Sequence, residues 1–246
     1  MFKSKYLLKS PGYCPTCKRR TRFGAKKPDF REHLKCAHCR SIARERALIE
    51  VIDKYMPDWK DRIVHESSPA NRGASVRLQE DCPGYISSQY FEGVPSGEWV
   101  DGVRCENLES LSLDESSIDL HVTQDVLEHV FHPEKVFFEI ARTLAPGGMH
   151  IFTVPLVNRW KPSECRAKLS DAGEIVYIKE AEYHGNPVGD GRSLVTFDWG
   201  YDICEFIFKS CGLFTHTVLI DDLSRGIHGE NLEVLVTVKP KQFSQL

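Results

Sequence analysis

Between residues 118 and 155 the chain runs strand, turn, helix, stop and strand without interruption. IDLHVT at 118–123 alternates Ile118, Leu120 and Val122 with Asp119, His121 and Thr123, which is strand periodicity. HPEKVFFEIARTLAPGG at 132–148 places Pro133 in a first helical turn and gathers Val136, Phe137, Ile140 and Leu144 on one face. Pro146-Gly147-Gly148 then stops the predicted helix, and MHIFTVP at 149–155 reads as a fully buried strand. A strand, a helix and a strand in that order point to an α/β sheet with helices on its faces.

The alternation extends to both sides. RIVHES (62–67), GYISSQYF (84–91) and GVRCENL (102–108) read as three earlier strands, with a short helical stretch around 73–80. After 155 comes an irregular region, 156–198, rich in turn signals such as HGNPVGDG at 184–191. YDICEFIFKSCG (201–212) returns to helix. FTHTVLID (214–221) and NLEVLVTV (231–238) are two strands whose connection is too short for a helical crossover, so they pair antiparallel. No apolar run reaches the ~20 residues that cross a bilayer, and MFKSKYLLKS lacks the apolar core of a signal peptide. These features predict a cytoplasmic protein without a membrane partner, and say nothing of oligomeric state.

Nine cysteines are an odd number, and four of them stand in two tight knuckles, CPTC at 14–17 and CAHC at 36–39. A two-residue gap lets both thiolates of a knuckle reach one ion, so Cys14, Cys17, Cys36 and Cys39 predict a closed, structural Zn²⁺ site. The segment between them, TRFGAKKPDFREHL, is too poor in apolar residues to form a core alone, and a metal would supply its folding energy. The basic Lys18, Arg19, Arg20 and Arg22 read as a solvated face, with phosphate contact as the alternative. Cys82, Cys105, Cys165, Cys204 and Cys211 carry no such pattern. SIARERALIEVIDKYMPDW then predicts a helix capped by Ser41 and ended by Pro57. Leu48, Ile49, Ile52 and Tyr55 form its apolar face, with Arg44, Arg46, Glu50 and Lys54 mostly opposite. The expected organisation is a zinc ribbon at 1–42, a linking helix at 43–60 and a main domain at 61–246. Residues 156–200 would cover that domain as a lid.

QDVLEHV at 124–130 concentrates Asp125, Glu128 and His129 at the end of the fourth strand. Metal ligation, acid–base chemistry and the rim of a ligand crevice are the three readings. The rim is favoured, because ligands of α/β sheets bind beyond the carboxyl ends of the strands. His129 then either braces the loop or touches the ligand. His129 and His132 straddle a turn ahead of Pro133, which does not set two imidazoles on one helical face.

The run DVLEHV…HPEKVFFEIARTLAPGGMHIFTVP resembles the post-strand-4 region of class I S-adenosylmethionine-dependent methyltransferases of the methyltransferase-11 type. NLESLSLDESSIDLHVTQDVLEHV is similar to the lead-in of the same family. The resemblance covers residues 62–155 and 200–240, and the ribbon resembles zinc-ribbon extensions on some bacterial members. It implies a Rossmann-like, seven-stranded, mostly parallel sheet with an antiparallel C-terminal strand pair. It also implies S-adenosylmethionine as cofactor. The residues it points to are Glu66, Ser67, Ser68 and Gly73 after strand 1, Gln89 and Tyr90 after strand 2, and Glu106, Asn107 and Leu108 after strand 3. Gln124, Asp125 and His129 follow strand 4. Each of these also reads as an ordinary loop residue. The chain departs from the family's glycine-rich first loop, since HESSPANRG holds only Gly73 and Pro69 removes a donor. Methyl transfer needs alignment and, for a hydroxyl or amine acceptor, loss of one proton. His184 is the candidate base, with Tyr183 or Asp198 assisting. A small-molecule or glycan acceptor is the first expectation. A degenerate, non-catalytic binding domain and a nucleic-acid methyltransferase using the ribbon are the alternatives.

Overall fold

The computed structural model describes residues 6–185 and 191–241, so residues 186–190 of the HGNPVGDG turn lie outside the described residues. The chain opens with the antiparallel hairpin β1 (Leu8–Cys14) and β2 (Arg19–Ala25), in register from Leu8↔Ala25 to Cys14↔Arg19. The four-residue α1 (Phe30–His33) and β3 (Lys35–Cys36), which pairs with β2, complete this small unit. Next comes α2 (Ala43–Tyr55). Its N-cap is Ile42 rather than the expected Ser41, and the Glu45 carboxylate accepts from the Ile42 N–H at 3.0 Å. Arg46 does not lie on a solvated face as expected. It is wholly buried, donates to the Leu34 and Gly226 carbonyls at 2.6 Å each, and lies over the Phe23 ring. The reason is tertiary: α2 is covered by the cysteine unit on one side and by the sheet on the other.

The main sheet is built from β4 (Val64–Ser67), β5 (Tyr85–Gln89), β6 (Trp99–Val100), β7 (Val103–Cys105), β8 (Ile118–Gln124) and β9 (Leu144–Thr153). The chain's last two strands, Phe214–Val218 and Val234–Val238, close its far edge. Named by first residue, the order across the sheet is 214, 234, 144, 118, 64, 85, 103 and 99. β9, β8, β4, β5 and β7 are mutually parallel. The Val234 strand lies antiparallel between β9 and the Phe214 strand. The seven expected strands are all present, and the two-residue β6 adds an antiparallel eighth at the edge. On one face α2 and α3 (Gly73–Asp81) pack Leu48, Ile52 and Leu78 against Val64, Leu120, Val122 and Ile151. On the other, α4 (Pro133–Thr143) and the helix Ile203–Cys211 pack Val136, Phe137, Ile140 and Ile207 against Phe152 and Leu235.

Helix α4 ends at Thr143, short of the predicted stop, and Pro146-Gly147-Gly148 belongs to the start of β9. A register shift between Ile118 and Leu120 marks an irregular crossing there. A Cβ on Gly148 would come within 2.9 Å of the Asp119 carbonyl oxygen, so the close approach of the two strands requires glycine.

Because both faces are covered, the polar half of IDLHVT also points inward. His65, His121 and His150 stand in register on β4, β8 and β9. The Thr143 hydroxyl donates to the Glu139 carbonyl at 2.8 Å, so it accepts from His121 Nε2–H at 2.8 Å. His121 Nδ1 therefore accepts from His65 Nδ1–H at 2.9 Å, and His65 Nε2 accepts from Ser88 Oγ at 2.9 Å. Burial holds this row neutral. It lowers His65 to about 4 and His150 to about 3, and puts His121 well below the ordinary imidazole value.

The region 156–198, expected to be irregular, forms three two-stranded pairs. They are β10 (Glu164–Cys165), β11 (Ala167–Leu169), β12 (Ile175–Tyr177), β13 (Tyr183–Gly185), β14 (Arg192–Leu194) and β15 (Phe197–Asp198), paired β10 with β15, β11 with β12 and β13 with β14. Among the described residues no helix is long and apolar enough to cross a membrane.

Candidate functional site at the mouth of the sheet

β4, β5, β7 and β8 are parallel, so their carboxyl ends lie along the same edge of the sheet. After β4 the chain turns through Ser68, whose φ of +55° lies in the left-handed region where glycine is at home. Ser68 thus holds the turn that the glycine-poor HESSPANRG loop has to make. Glu66 sits beneath it, fully buried. It accepts from Ser75 Oγ, Tyr85 Oη and Gln124 Nε2, each at 2.7 Å, and burial raises its pKa. Ser67 is buried beside it. Gly73 begins α3 with φ +59°, and a Cβ there would fall 2.0 Å from the Glu45 carboxylate. It serves the packing of α3 against α2.

At the ends of β5 and β7 the placements divide. Gln89 is half-buried and Tyr90 is exposed at the rim. Glu106 is fully buried and committed, taking Arg104 Nε at 2.8 Å and the Ser112 N–H at 2.9 Å. Asn107 accepts from the Glu109 N–H at 2.9 Å, a local turn bond, and Leu108 belongs to the core on the α4 side.

The end of β8 is the most charged part of the mouth. Asp125, with φ +53°, accepts from Arg31 Nη2 at 2.8 Å and Thr153 Oγ1 at 2.9 Å, and its second oxygen stands 3.1 Å from Arg44 Nε. Glu32 joins both arginines, Arg44 Nη1 reaches Gln124 Oε1 at 3.4 Å, and Arg31 Nε donates to the Asn231 carbonyl. Burial works against the Asp125 charge, but the two guanidiniums outweigh it and hold its carboxyl well below the usual range. These arginines come from α1, between the cysteine knuckles, and from the first turn of α2. Reading the sequence missed both. Arg31 lies 94 residues from its partner, and helical periodicity sets Arg44 mostly opposite the apolar face of α2.

Three residues further on, Glu128 has the opposite environment. It is 2 % exposed, and neither carboxylate oxygen has a hydrogen-bond partner. Burial, followed by the charge of Asp125, pushes it up to about 8. His129 follows, its Nδ1 donating to the Leu194 carbonyl at 2.8 Å. His184, on β13, brings Nδ1 to 3.8 Å from Glu128 Oε1, and its ring meets that of His129 edge-on at 5.1 Å. The segment around β15 makes this meeting. Thr196 N–H donates to the Glu128 carbonyl at 2.7 Å, Thr196 Oγ1 to the Val130 carbonyl at 2.6 Å, and Trp199 Nε1 to the Leu127 carbonyl at 3.1 Å. Asp198, expected as a helper, is instead bound to Arg166 and Lys179. Tyr183 contacts the Tyr177 hydroxyl at the surface.

The four knuckle cysteines converge in the first unit. Cys14 and Cys39 sulfurs stand 3.7 Å apart, Cys17 and Cys36 3.9 Å, and all four lie within 4.8 Å of one another. A tetrahedral ion with ~2.3 Å bonds separates its sulfurs by about 3.8 Å. The four thiols therefore have the spacing of a closed metal site.

The strand order and this mouth can be set beside known proteins. Residues 86–152, from β5 to the end of β9, match the family described as "Methyltransferase domain". The chain is similar in structure to the S-adenosylmethionine-bound amino pentose methyltransferase of Micromonospora echinaspora. The identity is 12 %, the TM-score 0.50, and the match covers 81 % of this chain and 93 % of that one. The main domain has the class I methyltransferase fold. Other similar structures include an S-adenosylmethionine-dependent methyltransferase of Mesorhizobium loti, 15 % identical over 78 % of this chain and 97 % of that one, TM-score 0.49. A third is the Burkholderia thailandensis 1,6-didemethyltoxoflavin-N1-methyltransferase, 13 % identical over 81 % and 79 %, TM-score 0.46. No curated protein matches the sequence. At the mouth, the turn that caps β4 is built of the small Ser67 and Ser68, with Ser68 at φ +55°, so the residues present put little side-chain bulk where the cofactor of that fold would lie.

Proposed function

We propose that the chain transfers a methyl group from S-adenosylmethionine to a small-molecule acceptor, sugars included, and that a structural zinc ion closes the cysteine unit. The observation that carries this reading is the strand order of the sheet, whose central part, 86–152, also matches the methyltransferase family. Bound cofactor supplies a sulfonium methyl group poised for in-line displacement. Ser67 and Ser68 would lie against its backbone-facing side. Gln89 and Tyr90 would meet its ribose hydroxyls, with an amide and a phenol where the family usually sets an acid. Asp125 does not reach the cofactor, because it fixes Arg31 and Arg44 at the methionine end. The acceptor enters on the side of Glu128, His129 and His184, where His184 takes its proton.

Around the acceptor side Asp125 is paired with Arg31 and Arg44, and Glu182 with Arg166, so among the described residues no unpaired basic residue there offers itself to a phosphate backbone. The basic Lys18, Arg19, Arg20 and Arg22 are solvent-exposed on the hairpin of the cysteine unit. Calorimetric titration with S-adenosylmethionine and with its demethylated product tests the reading. Micromolar binding supports it. A folded, zinc-loaded protein that binds neither at millimolar concentration sinks it, and leaves a non-catalytic binding domain.

A further inference from the structure

We propose that Glu128, His129 and His184 form a second metal site, open to ligand, that takes a divalent transition-metal ion such as Zn²⁺. The inference stands on the arrangement of acceptors and holds whether or not methyl transfer is the reaction. His129 Nδ1 must carry its proton, because the Leu194 carbonyl 2.8 Å away can only accept. The ring's other nitrogen, Nε2, therefore presents a lone pair, and it does so 3.8 Å from Glu128 Oε1. His184 Nδ1 approaches the same oxygen at 3.8 Å. Three ligand atoms, one from each residue, thus lie within 4.8 Å of one another. The carboxylate among them is almost wholly buried, with both oxygens unpartnered. A buried acceptor set without donors is costly unless a cation completes it.

The donor set indicates which cation. Two imidazoles and one carboxylate suit zinc and its late first-row neighbours rather than Mg²⁺ or Ca²⁺, which prefer all-oxygen shells. Bonds of roughly 2.0–2.2 Å place the ligands of a tetrahedral ion about 3.4 Å apart, so the set closes with shifts of about 1 Å or less. The bond from His129 Nδ1–H to a backbone carbonyl is the support that orients a ligating imidazole. Three protein ligands leave a fourth position for water or acceptor, in contrast to the closed four-sulfur site. A hydroxyl bound there would lose its proton more easily, to solvent water, so that a bare His184 imidazole need not act as the base.

The test is a zinc count per chain on the full-length protein after equilibration with buffered Zn²⁺, paired with X-ray absorption at the zinc edge. Wild type should hold one more zinc than His184→Ala and His129→Gln, whatever the cysteine unit itself carries. Its absorption spectrum should show nitrogen and oxygen scatterers that both variants lose. The affinity of the second site should fall at least tenfold in each variant. His184 is 41 % exposed on its hairpin, so His184→Ala is expected to leave the fold intact, which near-ultraviolet dichroism checks. Equal zinc counts in wild type and His184→Ala, or a sulfur-only spectrum in zinc-saturated wild type, overturn the proposal.

Discussion

The two sides of the sheet's mouth treat buried polarity in opposite ways. Facing the cysteine unit, Asp125 is met by two guanidiniums and a hydroxyl. Facing the insertion, Glu128, in the same turn, meets two imidazoles and no donor at all. The sheet interior sides with Asp125: in the run from Ser88 through His65 and His121 to Thr143, each donor has its acceptor. Matched groups of this kind hold a fold together. An unmatched acceptor set in the same domain destabilises it until something binds, and it is where ligand chemistry should be sought.

The contrast can be attacked first in the interior, with acid. The folded imidazoles of His65, His121 and His150 sit below their unfolded value of ~6.5, so the unfolded chain binds more protons. Their neutral burial costs nothing above pH ~6.5, and stability falls as pH drops from there toward 4. Between pH 7 and 5 the row alone should lose on the order of 5 kcal/mol. Glu128, whose raised carboxyl gains stability over the same drop, offsets part of it, so urea midpoints are read across the range in Glu128→Gln. His150→Phe should flatten the slope by about one proton, and midpoints that stay level down to pH 5 would contradict the neutral row. Asp125 plays no part in that window. Its depressed carboxyl contributes above its unfolded value of ~3.9, and that contribution is lost only as pH falls further.

Next in size, Asp125→Ala leaves two buried guanidiniums without their anion and should cost about 3–5 kcal/mol, lowering the melting temperature by roughly 10 °C. On the unmatched side the same kind of change should do the reverse. Glu128→Gln removes a carboxyl whose ionisation burial opposes and, in metal-free protein, should raise stability by about 1 kcal/mol in urea titration. A loss of several kcal/mol there would mean that Glu128 has a partner after all. Smallest in stability is His184→Ala, expected within about 0.5 kcal/mol of wild type. Methyl transfer to a responsive acceptor should nevertheless fall roughly 100-fold, with S-adenosylmethionine affinity kept within threefold, measured as release of demethylated cofactor.

Much of this architecture was legible as pattern. Strand and helix periods announced the sheet, and two knuckles announced the cysteine cluster, because both signals are local. The mouth was less legible. Gly73 lies in the loop where a glycine suggests cofactor contact, yet it is required by Glu45 of a helix that precedes the sheet. His65, His121 and His150 fell at the polar beats of their strands, and only the coverage of both sheet faces turns them inward. His184 meets His129 through hydrogen bonds from Thr196 and Trp199 to the turn after β8, contacts that no spacing rule anticipates. Glu106 and Leu108 stand at strand ends as expected, but one is held by Arg104 and the other by the core.

One feature of the cysteine unit reaches beyond it. Arg31 is carried by a helix of only four residues, suspended between the knuckles, with too little structure of its own to stay in place once the sulfurs separate. Oxidants, chelators and metal scarcity act on thiols at the edge of the molecule, yet each would withdraw a counter-ion from the end of β8. The occupancy of a remote four-sulfur cage thereby becomes an input to the electrostatics of the mouth. An intact four-cysteine cluster is thus part of what keeps Arg31 against Asp125 at the end of β8.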